Sequence, residues 1–366
     1  MSSATHVAPN PTFEAFRQQR IFGSLDGIRA GSILAVIWHH TVPGNAYSLP
    51  MLHRGFLGVD MFFVLSGFLI VTLLLREHDR NGSISLRNFY ARRTLRIFPV
   101  YYAVLAALAV LYLWKPDGGR ASTYFAELPY YATYTSNWID ATIFGITWSL
   151  ATEEQFYLFW PPIERYLKPL VTPILLAVIG FSQLVNFGVL DTWLASIFGD
   201  SMDAIPILQT TFTPICLGVL LAHTLHNPQR FRFIARFCGG RYHAILGSVL
   251  LLVVCNLPTD DISGWNRLLI HLSMVYLLAS LVLRENHALQ RLLSHGILRR
   301  IGAISYGMYL FHIFAVTVAF KLLEHLPFAS PVLGFLLTTL LTVAVAEISF
   351  RLFEEPIMRW KKRFSS

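Results

Sequence analysis

The sequence predicts an all-α, polytopic membrane helix bundle with about ten transmembrane helices and both termini on the cytoplasmic side. Three observations carry that expectation. Of 366 residues, 54% are hydrophobic and only 14% charged, against about 25% charged in an average soluble domain. The apolar residues gather in runs that are, with one shorter exception, roughly 17 to 25 residues long, enough to cross about 30 Å of hydrocarbon. The basic residues concentrate in alternate connections between those runs. The runs use up the length, so no separate soluble catalytic domain is expected and any chemistry belongs in or beside the bundle.

The runs are 25–43, 56–75, 95–114, 143–162, 169–188, 205–224, 243–257, 264–283, 302–323 and 331–352, with 243–257 the shortest. The stretch 122–138 holds Tyr124, Tyr130, Tyr131, Tyr134 and Trp138 and reads as an interfacial segment, because Trp and Tyr favour the headgroup region. One set of connections carries Arg76, Arg80, Arg87, Arg92 and Arg93, then Arg165 and Lys168, then Arg230, Arg232, Arg236 and Arg241, then Arg284, Arg291, Arg299 and Arg300. The alternate set carries Asp117, Glu127 and Asp140, then Asp191, Asp200 and Asp203, then Asp260 and Asp261, with only Arg54, Lys115 and Arg120 clearly basic. The positive-inside rule makes the Arg-rich set cytoplasmic. Arg17 and Arg20 before the first run and the tail Arg359–Arg363 fall on the same side, as an even number of spans requires. The chain thus divides into a cytoplasmic segment 1–24, a transmembrane domain 25–356 and a basic cytoplasmic tail 357–366.

A net charge of +8 would suit nucleic acid, but its confinement to alternate loops argues for the lipid bilayer as partner. Cys216, Cys238 and Cys255 are odd in number and form no CxxC pair, so neither a disulfide framework nor a metal site is expected. Residues 1–24 lack an apolar core followed by a small-residue cleavage site, so the first run is expected to serve as its own membrane signal.

Charged residues inside the apolar runs are the candidates for function, since an intramembrane ionisable group is costly to bury. Arg29 and His40 are eleven residues apart, which on a helix leaves them about 20° apart in azimuth and roughly 16 Å apart along the axis. They share a face, with Arg29 toward the cytoplasm and His40 in the outer half. Asp26 lies one turn from Arg29 and can pair with it. A bland reading also stands, with Arg29 snorkelling beside Asp26 and His40 at the interface. The second run enters from outside, putting Asp60 near the depth of His40. Asp60 either orients a histidine or caps its helix. Ser66 and Gly67 lie deeper and read mainly as packing. Glu153 and Glu154 fall in the outer half of the fourth run, about 100° apart, so only one need share a cavity with His40. Arg92, Arg93 and Arg96 set topology or bind a polyanionic cytosolic ligand through their guanidinium forks; on charge alone the two readings weigh equally. Ser305, Tyr306 and His312 mark the ninth run, and Glu347 with Arg351 an ordinary helix ion pair.

The stretches LDGIRAGSILAVIWHH, GFLGVDMFFVLSGFLI, FYARRTLRIFPVYY, TWSLATEEQFYLFWP, ISYGMYLFH and FRLFEEP occur in order between residues 25 and 356. In these the chain resembles the acyltransferase-3 family of bacterial membrane O-acyltransferases. The family's Arg-x10-His pattern fits Arg29 and His40, not His39, and its Glu-x-x-Phe-Tyr pattern fits Glu153, Phe156 and Tyr157. The resemblance implies an enzyme of the bacterial inner membrane that takes an acyl group, usually acetyl, from cytosolic acyl-CoA to a hydroxyl of an envelope or exported glycan. Some relatives carry a C-terminal hydrolase-like domain; the last run ends close to residue 366, so a stand-alone unit is expected here, alone or with an envelope-biosynthesis partner or as an oligomer.

On this reading His40 is the general base, because imidazole both accepts and releases a proton near neutrality; a variant, equally compatible with the sequence, has His40 transiently acylated. Arg29 completes the catalytic stripe, and Asp60 or Glu153 holds the imidazole. Arg92, Arg93 and Arg96, extending to Arg29, take the phosphates of acyl-CoA. Asp26, Ser66, Trp148, Tyr157 and His312 line the substrate site. Three alternatives stand beside it: acyl transfer to a small molecule such as a macrolide, a transporter using the same buried charges, although no halves-symmetry is visible, and an accessory subunit of a glycan-export complex.

Overall fold

Each of the ten apolar runs is occupied by a helix. In the computed structural model these are α1 (Leu25–Thr41), α2 (Leu57–Asn81), α3 (Leu86–Trp114), α5 (Thr147–Tyr166), α6 (Val171–Asn186), α7 (Phe212–His226), α9 (His243–Cys255), α10 (Gly264–Leu283), α12 (Ser305–Leu323) and α13 (Pro331–Ser349). Between them lie further helices, among them α4 (Arg120–Ala132), α8 (Pro228–Cys238) and α11 (Gly296–Ala303). The described residues are 11–360 except 20, 44–45, 117, 200–204, 209–211, 259–261 and 325–329, and they contain no strand. Arg20, Asp117, Asp200, Asp203, Asp260, Asp261 and the basic residues after Trp360 lie outside them.

Ten helices do not make ten spans by length and composition. α2, α3, α6, α10, α12 and α13, some with an adjoining turn, are long and apolar enough to cross a membrane, and α8 with α9, bent by 73°, qualify as one broken unit. α1 has 17 residues and α7 has 15, about 25 Å and 22 Å at ~1.5 Å per residue. α5 has 20 residues but carries Glu153, Glu154, Glu164 and Arg165. The helices that fall short include the two bearing the candidate chemistry, α1 and α5.

α2 is the axis of the bundle. It is buried nearly all round, through residues such as Phe63, Val64, Phe68 and Val71, the pattern of a helix enclosed by others. Against α7 the two backbones almost touch. A Cβ added to Gly67 would stand 2.0 Å from the carbonyl oxygen of Ile215, and one on Gly218 would stand 2.2 Å from that of Val64. Only glycine permits this reciprocal approach, as is usual where helices lack a hydrophobic drive to associate. Gly67 is therefore the packing residue expected, while the neighbouring Ser66 turns to the other side.

The aromatic stretch after α3, expected as an interfacial segment, is packed onto α3. α4 folds back antiparallel to α3. The Tyr124 hydroxyl donates to the Leu105 carbonyl at 2.6 Å, and Tyr101 and Tyr102 donate to the carbonyls of Tyr131 and Ala132 at 2.9 and 2.8 Å. At the tip Tyr134 stacks on Tyr101 at 4.5 Å and on Phe98 at 5.4 Å, near the middle of the 29-residue α3. Buried Asn137 ties the tip to α5 through Thr152 and Gln155, at 3.2 and 3.1 Å. The returning segment is organised by buried Glu127. Its carboxylate accepts from the backbone N–H of Thr142 and Ile143 at 3.0 and 3.1 Å and from the Tyr131 hydroxyl, which itself accepts from Phe144 N–H at 2.9 Å.

The described residues shortly before α1 are equally tied down. A short helix, Phe13–Gln18, packs Phe13 and Phe16 on Phe231 of α8. Arg76 of α2 donates to the carbonyls of Gln19 and Phe16 at 2.6 and 2.7 Å. Ser24 then hydrogen-bonds the Nε2 of His287 at 2.8 Å. His287, in the connection after α10, is buried and its Nδ1 has no partner among the described residues, so burial pushes its pKa down to about 4. In the unfolded chain a histidine titrates near ~6.5. Between those values the unfolded chain binds the proton and the folded chain does not, so stability is full above about pH 6.5 and falls as pH drops toward 4. The melting midpoint of detergent-solubilised protein is expected to fall over that range, and His287→Gln to flatten the fall. An equally steep decline in the variant would assign it to other groups.

Candidate active site

Three cavities stand in file along one side of α1. The lower, about 250 Å³, is lined by Phe22, Asp26, Arg29, Ser66, Arg76, Arg93 and Arg96. The central, about 110 Å³, shares Arg29, Ser66, Arg93 and Arg96 with it and adds Ser149, Glu153, Ser305, Tyr306 and Tyr309. The upper, about 370 Å³, holds His39, His40, Phe56 and Trp148 and meets the central one at Val59 and Tyr309. The helical phase that put Arg29 and His40 on one stripe thus puts them in neighbouring cavities along one side of α1.

The lower and central cavities are cationic. Arg29 Nη1 donates to Asp26 Oδ1 at 2.8 Å, the pairing expected. Arg93 lies 3.5 Å above the Tyr157 ring and 3.6 Å from Glu154 Oε1. Arg96 lines both cavities and makes no hydrogen bond or ion pair with a described residue. Arg92, one residue from Arg93, pairs instead with buried Glu77 at 3.3 Å, a carboxylate that also accepts from Ser85 N–H at 2.8 Å. The expected cluster of four arginines is therefore Arg29, Arg93 and Arg96 around the cavity, with Arg92 directed to Glu77.

The adjacent glutamates part as their phase demands. Glu153 faces the central cavity, accepting from the Ser66 hydroxyl and from the Tyr157 hydroxyl at 3.0 Å. Glu154 faces a separate cavity of about 300 Å³ between α3, α5 and the α4 tip, with Tyr90, Tyr102 and Tyr134 in its wall. Ser66 and Tyr157 thus stand beside the arginines, supporting Glu153. Trp148 stands in the upper cavity and packs edge-on to Phe63.

His40 is held differently from the sequence expectation. Its Nδ1 lies 2.9 Å from the Val36 carbonyl. A carbonyl only accepts, so Nδ1 carries the proton and Nε2 is left with its lone pair. No carboxylate among the described residues is hydrogen-bonded to it. Asp60 is buried at 2% exposure, but its Oδ2 binds His271 Nε2 at 2.9 Å and Arg267 Nη2 at 3.5 Å on α10. Glu153 is held by Ser66 and Tyr157. His312 is fully buried on α12 with its ring centroid 4.9 Å from that of His40, outside the wall of the upper cavity. It backs His40 and does not line the space beside it.

Sequence reading missed Tyr309, whose hydroxyl binds the Ile146 carbonyl at 2.9 Å and the Ser149 hydroxyl at 2.6 Å, forming the partition between central and upper cavities. The spacing of Tyr306, Tyr309 and His312, three apart on one helix face, was the available signal. Nothing local pointed to Glu127, which fixes the upper cavity wall at Thr142, Ile143 and Phe144.

An "Acyltransferase domain" family model matches residues 22–349. A Staphylococcus aureus (strain COL) protein provisionally named as an O-acetyltransferase is 31% identical over 95% of this chain and 59% of its own length. The peptidoglycan O-acetyltransferase OatA of Listeria monocytogenes is 28% identical over 92% of this chain and 56% of its own, and the O-acetyltransferase OatA of S. aureus (strain NCTC 8325) is 27% identical over 94% and 58%. The chain thus spans less than two thirds of the length of these relatives. No solved structure matches it. With the family model covering nearly the whole bundle, from the segment before α1 to the end of α13, the chain belongs to the acyltransferase-3 family.

Proposed function

We propose that this chain is a membrane O-acetyltransferase that carries an acetyl group from cytosolic acetyl-CoA to a hydroxyl of an envelope glycan. The observation that carries the reading is the file of cavities joining a cluster of guanidinium groups to a histidine with an open Nε2. On this reading the bundle crosses a bacterial cytoplasmic membrane ten times, with 1–24 and 357–366 cytoplasmic and 25–356 as the working domain. The short α1 and α5 then cross as the inner helices of a water-accessible path, where irregular or polar stretches are tolerated. The lower cavity opens to the cytoplasm and the upper one to the other face.

Arg96, Arg93 and Arg29 receive the phosphates of CoA, for which planar guanidinium forks are suited. The pantetheine arm runs up past Ser66 and Tyr309, bringing the thioester to His40. Nε2 of His40 takes the proton of the acceptor hydroxyl as its oxygen attacks the thioester carbonyl. The C–O bond forms, the C–S bond breaks, and the departing CoA thiolate takes the proton back from His40. The OatA relatives make a peptidoglycan hydroxyl the first acceptor to test.

Acetyl-CoA is expected to raise the melting midpoint of the purified protein, since a ligand at a hundredfold excess over its Kd stabilises by about 2.7 kcal/mol. Arg96→Ala is expected to remove most of that shift. Cells with the protein should in addition carry glycan heavier by one acetyl group than cells without it. No stabilisation by acetyl-CoA and no mass difference would overturn the reading.

A further inference from the structure

The proton taken up in the transfer proposed above needs a stable home beside His40, and α12 brings a second imidazole there. His312 is fully buried. Its Nδ1 lies 2.6 Å from the Tyr309 carbonyl, one turn back on its own helix. That carbonyl fixes the proton on Nδ1, as the Val36 carbonyl does for His40. Nε2 of His312 is consequently a lone-pair acceptor, and it has no hydrogen-bond partner among the described residues. Buried polar atoms without partners are rare in native structures and call for an explanation.

The two rings lie 4.9 Å apart at 65°, and each keeps a bare Nε2. Two acceptors cannot bond to each other while both are neutral. Once His40 gains a proton on Nε2 it becomes a donor on both nitrogens. We propose that His312 is the positioning partner of His40, its Nε2 accepting a hydrogen bond from the newly protonated Nε2 of His40 and holding the imidazolium until the CoA thiolate reclaims the proton. The inference rests on the functional reading above. No atom is gained or lost: the proton passes from acceptor hydroxyl to His40 and on to the thiolate, and His312 lends only its lone pair.

The groups facing this pair do not supply the same service. On α1, His39 has its ring 5.2 Å from His40, with His53 beside it and Phe56 of α2 at 5.4 Å. On α12, Tyr309 lies 5.5 Å from His312, and its hydroxyl is bound to Ile146 and Ser149. On α5, Glu153 is held by Ser66 and Tyr157. α13 presents Phe335, which packs on Trp38.

The test follows the reactivity of His40 itself. Diethyl pyrocarbonate modifies the neutral imidazole, and peptide mass spectrometry of full-length protein in detergent gives the pH midpoint of His40 modification without any acceptor. In His312→Leu, and in His312→Asn, whose short amide has nothing at the Nε2 position, the midpoint is expected to move about one pH unit lower, since a hydrogen bond to the charged form favours it. His312→Gln, whose amide oxygen reaches the Nε2 position, is expected to restore it. A midpoint unmoved in both loss variants would overturn the proposal, as would a Gln variant that behaves like Asn. If Leu does not fold, the Asn and Gln pair decides. Acetyl transfer by the unmodified protein is scored separately. Its absence alongside a moved midpoint would remove the catalytic reading and keep the histidine pair, whereas transfer with an unmoved midpoint would remove the pair alone.

Discussion

His40→Ala is expected to give a folded, membrane-inserted protein that transfers no measurable acetyl. Removing a positioned acid–base group costs typically 10²- to 10⁴-fold, and of the nearby histidine and carboxylate side chains only His39, about 100° away around the helix, shares the upper cavity. Asp60 is engaged by α10, Glu153 faces the central cavity, and His312 is sealed behind the ring it would have to supplant. Acetyl-CoA should still raise the variant's melting midpoint, because Arg29, Arg93 and Arg96 are untouched. The measurement is acetyl ester on peptidoglycan by mass spectrometry, with acetyl-CoA-dependent melting on the same preparation. Undiminished ester would exclude His40 as the base.

Asp60→Ala is expected to act on folding. The carboxylate is 3% exposed and stands between His271 and Arg267, whose side chains are 1% and 19% exposed. Deleting one member of a buried ionic cluster leaves the others uncompensated, which costs about 3–5 kcal/mol, or on the order of 10 °C in melting midpoint. Asp60→Leu combined with His271→Leu is expected to lose less than the two single changes together, since residues in contact do not add. A normal melting midpoint with lost acetyl transfer would return Asp60 to the catalytic group where the sequence placed it.

The contrast between these residues marks what a sequence makes legible. Arg29 and His40 lie on one helix, so period alone placed them on one face, and the separate fates of Glu153 and Glu154 followed from the same arithmetic. Apolar runs likewise located the ten helices. The partners of polar groups were illegible because they arrive from distant chain: His271 is 211 residues from Asp60, and Ser66 is 87 from Glu153. Arg267 and His271, four apart in an apolar run, were a visible hint that some acid must meet them. Arg92 carried the same charge as its neighbours, and only the approach of Glu77 set it apart. The α4 reversal was hidden for another reason. A Tyr-rich amphipathic segment suits a membrane surface and an aromatic helix face equally well, and the choice was made by α3, whose Leu105 carbonyl takes the Tyr124 hydroxyl and whose Tyr101 and Tyr102 hydroxyls reach carbonyls of α4.

That reversal has an evolutionary consequence. The wall opposite His40 is fastened from within by Glu127 and Tyr131, and outwardly by the Tyr124 hydroxyl on an α3 carbonyl, by the Tyr101 and Tyr102 hydroxyls of α3 on carbonyls of the hairpin, and by two polar side chains of α5. The carbonyls that accept from Tyr101 and Tyr102 belong to α4 and are the same whatever side chains the hairpin carries, so these two bonds impose no sequence on the segment they hold. The hairpin is thus an exchangeable cassette: residues between Arg120 and Ile146 can drift or be transplanted, recutting the space beside the histidine while the arginine chamber below keeps its shape.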